Sequence, residues 1–341
     1  APAILKLPDI DLVAVCTAHK ETAIESAEKY GATMAFHNHN EMLEKADLDA
    51  VAIVVRVPFH YQLTVDAIKA GKHVYTEWPL GANVKEAHHM ASLIRKKGSL
   101  SMVGLQSRVS PVLMRVRDLI REGYVGKVLT AHLKQFNSGV LSRTSSRTWQ
   151  KDKSLGATTL SIVFGHAVDA LCMCLGEFEK VSSTVCTQVP EWRETDTGRM
   201  VGVNAPDNIL VNGVLKSGAV VSIHVGSIPY SDSGYRLEIY GNEGTLVVKS
   251  TGTPAIDEAR LYGSRGESDR LSRMYIPKRY TWIPADVPTG PPFNIAQLWY
   301  RFCQSIYRGI PMEPDFDLAV RRHELLDAIQ TASDTGQTQY L

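Results

Sequence analysis

The chain reads as an α/β protein: a parallel-sheet domain followed by an α+β domain built on a large, mostly antiparallel sheet. Three observations carry that reading. Up to residue 104, short apolar runs alternate with helical patterns about a dozen residues long, the signature of βαβ units. Beyond residue 127 the runs lengthen and alternate apolar with polar, with hairpin-like turns between them, which favours antiparallel pairing. The length of 341 residues suits two domains, and 44% hydrophobic with 21% charged residues is an ordinary globular composition.

The elements follow in order. Residues 11–16 (DLVAVC) are a short apolar run of the buried parallel-strand type. Over 20–30, Ala23, Ala27 and Tyr30 stand at helical spacing, and Gly31 stops the helix. Residues 33–36 are extended, and Asn40 is placed to cap a short helix over 41–45. A strong strand over 49–55 leads to a helix over 60–70, ended by Gly71. A strand at 72–76, a helix at 83–97 ended by Gly98 and a strand at 101–104 complete this half.

This is the layout of a Rossmann-type dinucleotide-binding domain. Such a domain opens on a strand and a G-x-G-x-x-G loop, whose glycines let backbone amides approach a pyrophosphate. The motif occurs nowhere in the sequence, and A-I-L-K-L at 3–7 reads as the tail of the helix that would follow it. The expectation is therefore an N-terminally incomplete Rossmann-type domain over 1–107, with its first strand and Gly-rich loop missing.

The second domain is expected over 108–341. A helix over 111–122 ends at Gly123, and strands follow at 127–136, 181–186, 208–216, 219–226 and 235–240. The turn G-N-E-G at 241–244 leads to another strand at 245–249. A buried helix over 159–175 interrupts the strands, and helices over 294–308 and 317–333 close the chain. Residues 250–292 are rich in Gly, Pro, Ser and charge and are expected to hold little regular structure.

Composition excludes several functions. Lys plus Arg is 37 against 36 for Asp plus Glu, so nothing advertises nucleic acid or an anionic membrane surface. No apolar run approaches the ~20 residues of a membrane span. The N-terminus lacks a signal-peptide layout. Cys16, Cys172, Cys174, Cys186 and Cys303 show no metal spacing and read as small buried hydrophobes in a reduced, cytoplasmic setting. His37 and His39 have no carboxylate or thiolate beside them, so no metal is expected. His88 and His89 read as a solvated helix face.

Four features in order then point to a family. The βα half, T-E-W-P at 76–79, G-L-Q-S-R at 104–108 and F-G-H-A-V-D at 164–169 together resemble the glucose–fructose oxidoreductase / inositol dehydrogenase / MocA superfamily. Glu77-Trp78, Leu105-Gln106, I-R-E-G-Y-V-G at 120–126 and F-G-H at 164–166 look most like its galactose-repressor branch, that of the yeast galactose-regulon repressor. The likeness spans nearly the whole chain. It implies a Glu-Lys-Pro lysine near substrate and nicotinamide, but Trp78 stands at the lysine position. It implies Asp-x-x-x-His for proton transfer, and His166 is kept while Ile162 replaces the Asp. The repressor branch, regulators that bind NAD(P), shows similar replacements. The likeness also implies subunit pairing through the open face of the large sheet, so Ile209, Val211, Val221 and Ile223 line either the core or that interface. A homodimer or larger assembly is expected.

Candidate residues follow. His166 lies among Ile162, Val163, Val168 and Leu171; its residues alone suit a core histidine, and the likeness makes it the expected acid/base. Asp169 is too close on the same helix to orient it and is assigned to the substrate side, with Arg108, Trp149 and Trp78. Arg108 suits either substrate or an interdomain hinge. Trp149 lies in a loop expected near substrate, although a solvated basic loop is the blander reading of its neighbours. Trp78 follows a strand end, where open α/β sheets bind ligands, and is either packing or a flat wall for a ring.

Cofactor-side candidates are Thr17, Lys20, Arg56, His60, Glu77, Pro79 and Gln106. Arg56 and His60 occupy a turn that the likeness places near a diphosphate, which a guanidinium suits, though His60 could simply cap the next helix. Glu77 could bond a ribose or an amide, and Pro79 fixes the turn, where proline makes a cis peptide accessible. No acidic residue stands at 17–20 to take the ribose hydroxyls of NAD. Thr17, His19 and Lys20 suit a 2′-phosphate, giving NADP a slight preference, or Thr17 merely caps a solvated helix.

Three functions are expected in this order. The first is an NAD(P)-dependent oxidoreductase acting on a sugar-like or other small hydroxy, carbonyl or imine compound, with His166, Tyr61 or Tyr230 as proton donor. The second is a non-catalytic NAD(P)-sensing regulator. The third, if the phosphate loop is truly absent, is a cofactor-independent isomerase or cyclase.

Overall fold

The computed structural model describes residues 2–266, 268 and 270–341. The chain packs as two compact units, Ala1–Gly104 with Trp282–Val320, and Leu105–Thr281 with Arg321–Leu341.

In the first unit, β1 (Ala14–Cys16) and β2 (Met34–Phe36) pair in parallel. A second parallel sheet has the order β3 (Ala50–Ile53), β4 (His73–Glu77), β5 (Ser101–Gly104). Helices α1 (Lys20–Tyr30), α2 (His39–Lys45), α3 (His60–Lys69) and α4 (Val84–Lys97) alternate with these strands. Gly31 and Gly98 end α1 and α4 in the left-handed region, φ 73° and 71°, where a Cβ would be strained. The two parallel sheets, β1-β2 and β3-β4-β5, alternate with helices as in a doubly wound α/β fold. Among the described residues, neither β1 nor β3 has a strand on its second edge. Apolar side chains stay in solvent there: Val54 and Val55 are 63% and 47% exposed.

The expected boundary at 107/108 leaves out the return of the chain through 282–320. The reason is aromatic packing. The helix Pro291–Arg308 places Trp299 and Phe302 on Tyr75, with ring centroids 4.8 and 6.5 Å apart. Val103 N donates to Pro314 O at 2.8 Å. Ala3 and Leu7 pack with Ile283, Val287 and Ala296.

The second unit opens with α5 (Pro111–Arg121), β6 (Val128–Ser138) and β7 (Ser142–Arg143). Next come α6 (Gly165–Leu175), β8 (Phe178–Cys186), β9 (Glu191–Glu194) and β10 (Met200–Gly202). Then follow β11 (Asn208–Leu215), β12 (Val220–Ile228), β13 (Gly234–Gly241), β14 (Gly244–Ser250), β15 (Ala259–Arg265), β16 (Ser272–Arg273) and, near the end, β17 (Gln339–Tyr340). The large sheet runs β16-β15-β14-β13-β6-β12-β11-β8-β17 and is antiparallel except for β6 and β12. Ile209, Val211, Val221 and Ile223 are at most 1% exposed and line the core. The opposite face shows Asn212, Ser222, His132 and Glu238 side by side on adjacent strands.

Three features differ from expectation. Within 250–292, β15 and β16 join the large sheet: β15 pairs with β14 along its length, with Leu261 and Gly263 buried and Arg260, Tyr262 and Ser264 on the other face. A small sheet β10-β9-β7 forms from strands of two to four residues, too short to show a period. The helix expected over 159–175 begins as π-helix, Thr159–Phe164, closed at its start by a reciprocal Thr158–Ser161 cap. This helix is apolar and belongs to the core: Phe164, Val168 and Leu171 have no exposure.

Candidate functional site

In the first unit, the sequence-predicted residues stand at and beyond the carboxyl ends of β1, β3 and β4. Thr17, just past β1, spends its hydroxyl locally: Oγ1 donates to His19 O at 2.9 Å and lies 2.6 Å from Thr22 Oγ1. Lys20 is exposed at the first position of α1, and the N-cap His19 makes no side-chain bond to the first turn. Arg56 is exposed beyond β3. Glu77 ends β4. Tyr75 Oη donates to Glu77 Oε1 at 2.9 Å, and a Cβ added at Gly104 would sit 2.2 Å from Glu77 Oε2. The bare Gly104 backbone is what gives that carboxylate its seat. Trp78 is 5% exposed, and the Trp78–Pro79 peptide is cis.

His60 does not reach a cofactor. Its ring is 1% exposed, Nδ1 lies 2.8 Å from Pro79 O, and Nε2 lies 3.0 Å from Val55 O. Both nitrogens are taken up by main-chain carbonyls, so no polar atom remains for a ligand. The expectation of a cofactor contact is corrected to a tie between two strand ends.

In the second unit, the sequence-predicted residues stand in the turn Gln106–Val109, the loop over 137–156 and α6. Gln106 is buried at 6% exposure, in this unit rather than with the other cofactor candidates. Asp169 is also corrected. It has no exposure and accepts from two arginines: Arg108 Nε at 3.0 and 2.9 Å and Nη2 at 2.9 Å, and Arg322 Nε at 3.0 Å. Arg322 Nη2 also pairs with Glu177. A carboxylate enclosed by two guanidinium groups has no face left for substrate. Arg108, with its side chain 9% exposed, is committed to the same cluster, which favours the anchoring reading over the substrate one. Arg108 and Arg322 lie just after two of the points where the chain passes between units, 104/105 and 320/321. Sequence reasoning missed Arg322 and Glu177 entirely, and no local signal marks a partner 153 residues away from Asp169.

His166 opens the α-helical part of the same helix. Its ring is part-exposed, while Nδ1 is enclosed and has no hydrogen-bond partner. Burial lowers its pKa to about 4, against the opposing pull of the Asp169 charge. The imidazole is therefore neutral near pH 7 and able to accept a proton. Ile162 lies in the π-helical turn one step before it, a type of irregularity that recurs at functional sites. Trp149 is half-buried in the turn Ser145–Lys151. That turn is anchored by Thr148 Oγ1 donating to Glu194 Oε1 at 3.1 Å, and Glu194 is held down to about 2 chiefly by Arg199, with Thr197 and Thr148. Tyr61 Oη pairs with His89 Nδ1 at 2.7 Å, and Tyr230 is 78% exposed. Among the described residues no group of three His, Cys, Asp or Glu could hold a metal.

A parallel Rossmann-type sheet in the first unit and a large, mostly antiparallel sheet in the second define the class of fold. Residues 1–105 match the oxidoreductase family with an NAD-binding Rossmann fold, and residues 111–250 match the C-terminal domain of Gal80p. The resemblance to the glucose–fructose oxidoreductase / inositol dehydrogenase / MocA family is thus supported over residues 1–105, and that to a Gal80-like domain over residues 111–250. The dehydrogenase aclE of Aspergillus oryzae is 28% identical over 70% of this chain and 67% of its own length. The galactose/lactose regulatory protein GAL80 of Kluyveromyces lactis is 26% identical over 63% of this chain and 51% of its own length. In fold, a levoglucosan dehydrogenase in complex with NADH and levoglucosan matches with a TM-score of 0.86 at 21% identity, covering 100% of this chain and 95% of that one. Gal80p of Saccharomyces cerevisiae, as a super-repressor mutant, gives 0.86 at 19% identity, covering 100% and 93%.

Proposed function

We propose that the chain is an NAD(P)-dependent oxidoreductase acting on a sugar-like or other small hydroxy, carbonyl or imine compound. The observation that carries this reading is His166, a part-exposed, neutral imidazole whose enclosed nitrogen has no partner. The dinucleotide, when bound, supplies the hydride acceptor. In oxidation the substrate C–H bond gives up hydride, its O–H bond breaks, and the proton passes to a ring nitrogen of His166. The chain's residues fit the dinucleotide in part. Glu77 is seated over Gly104 at a strand's carboxyl end, and Arg56 and Lys20 offer cationic groups beyond β3 and β1. Arg56 beyond β3 and Lys20 at the start of α1 are cationic groups that suit an anion. His19 and Lys20, in a loop with no acid at 17–20, support NADP over NAD.

A second reading, an NAD(P)-sensing regulator, is favoured by one specific observation. Trp78 and Ile162 are apolar where the resemblance calls for a catalytic lysine and aspartate, in a chain whose residues 111–250 match Gal80p. Titration with NADPH and NADH, followed by protein fluorescence, is the first test, and hydride transfer over a panel of sugars, aldehydes and imines is the second. The oxidoreductase reading expects binding, tighter for NADPH, with turnover of at least one compound class. Binding without any turnover assigns the regulator, and no binding at all overturns both. We further propose a homodimer or larger assembly through the open face of the large sheet, in a cytoplasmic setting. Light scattering should give at least twice the chain mass of 37.6 kDa, and a single peak at that mass refutes it.

A further inference from the structure

The His60 geometry goes beyond that reading. A carbonyl oxygen only accepts, and a neutral imidazole has one N–H. Nδ1 at 2.8 Å from Pro79 O and Nε2 at 3.0 Å from Val55 O can both be hydrogen bonds only if both nitrogens carry protons. With one proton, a ring lone pair faces a carbonyl lone pair, and a ring only 1% exposed cannot turn that edge to water. Val55 and Pro79 are the residues just beyond the ends of β3 and β4. The ring therefore spans the two strand ends that carry Arg56 and Glu77-Trp78.

We propose that His60 is a proton-operated strap: the doubly protonated ring holds both strand ends, and the neutral ring keeps Pro79 and releases the Val55–Phe59 turn. The two contacts differ in a way that selects which is lost. The Pro79 bond is the shorter and is buried, whereas the Val55 bond is part-buried and Val55 itself is 47% exposed. Water can replace His60 at Val55 O and not at Pro79 O.

The surroundings set the balance. Burial disfavours the charged ring, while the two carbonyls and the Glu86 carboxylate on α4 favour it, and burial prevails. Glu86 itself accepts from Ala82 N at 2.8 Å, so it ties down the same segment that Pro79 begins. The other groups near α3 are occupied elsewhere. Asp66 pairs with His39 of α2, Tyr61 with His89 of α4, and Thr64 with Thr76 of β4; Arg56 stands in the released turn. The strap is thus engaged on the acid side of the ordinary histidine range and slack above it.

The test is histidine ring 15N NMR on the full chain between about pH 5 and 8, with amide exchange followed in parallel. The proposal expects His60 to pass from one neutral tautomer to a doubly protonated ring as pH falls. With the intrinsic pH dependence divided out, exchange at Arg56–Phe59 should slow about tenfold in step, while β4 stays unchanged. His60→Gln, which has a single side-chain nitrogen, should fold and lose the pH response of the turn. A ring that stays neutral to pH 5, or one that protonates without slowing the turn, overturns the proposal. So does an unchanged pH response in His60→Gln. Any effect on nucleotide affinity rests on the cofactor reading above and is separable. If the turn responds to His60 and NADPH affinity does not follow, the strap stands and the role of Arg56 at the dinucleotide falls.

Discussion

The two units hold their key histidines in opposite ways. In the first unit His60 is gripped by the main chain at both nitrogens, and no charged partner touches it. In the second, His166 has an enclosed nitrogen with no partner at all, and its helix is fixed instead by charge, through Asp169 and two arginines. The difference separates structural from chemical histidines better than burial does. A ring whose nitrogens are both occupied can position its neighbours and little else. A ring with an unsatisfied nitrogen, held in place by other residues, keeps its proton chemistry available.

The largest test of that contrast is removal of the charge that fixes α6. Asp169→Asn removes the carboxylate shared by Arg108 and Arg322 and leaves Arg322 with Glu177 alone. Breaking a buried ion pair on one side costs about 3–5 kcal/mol, so the denaturant midpoint should fall steeply. A loss below about 1 kcal/mol, as for an exposed pair, would mean that charge does not hold this helix.

Next in size is the chemistry. His166→Asn should lower turnover by roughly 10²–10⁴, the range of general acid–base catalysis. Because Nδ1 makes no bond, its loss should leave stability within about 1 kcal/mol of the parent. A variant that unfolds while the parent is stable would recast His166 as a core residue.

The third test is pH. The folded His166 has a pKa near 4, below its ordinary 6.5. The folded state therefore binds fewer protons than the unfolded chain in this window. Stability from this group is full above about pH 6.5, is lost as pH falls toward 4, and does not fall further below that. Partial exposure of the ring limits the loss to about 1–3 kcal/mol. His166→Asn should abolish that slope, and an unchanged slope would assign the acid sensitivity to other groups.

Much of the fold was legible because buried parallel strands are continuous apolar runs. The strands at 50–53 and 101–104 and the helix ends at Gly31 and Gly98 fell where the sequence placed them. The return of 282–320 to the first unit was not legible, since an amphipathic helix shows that it has an apolar face and not which sheet it covers. The π-helical turn was invisible for a related reason: one extra residue per turn leaves the local apolar spacing almost unchanged. At the site, position along a motif identified His60 and Asp169 as notable but not their tasks. Those depend on Pro79, Val55, Arg108 and Arg322, whose approach is fixed only by tertiary packing.

The smallest expected effect lies at the start of α1 and tests how far the first unit's edge is chemical as well as structural. Thr17 is spent on His19 and Thr22, so its hydroxyl adds little for a ligand. Lys20 is exposed at the positive end of an eleven-residue helix whose cap side chain leaves the first turn unbonded. A 2′-phosphate there would gain a screened, surface-type attraction of about 0.3–1 kcal/mol from the lysine. Lys20→Ala should therefore weaken NADPH about two- to fivefold and leave NADH unchanged. The difference should shrink in high salt, because the pair is exposed. Equal losses for the two nucleotides would place Lys20 on the shared diphosphate or on the helix itself, and the preference for NADP would lose its one positively charged contact beyond β1.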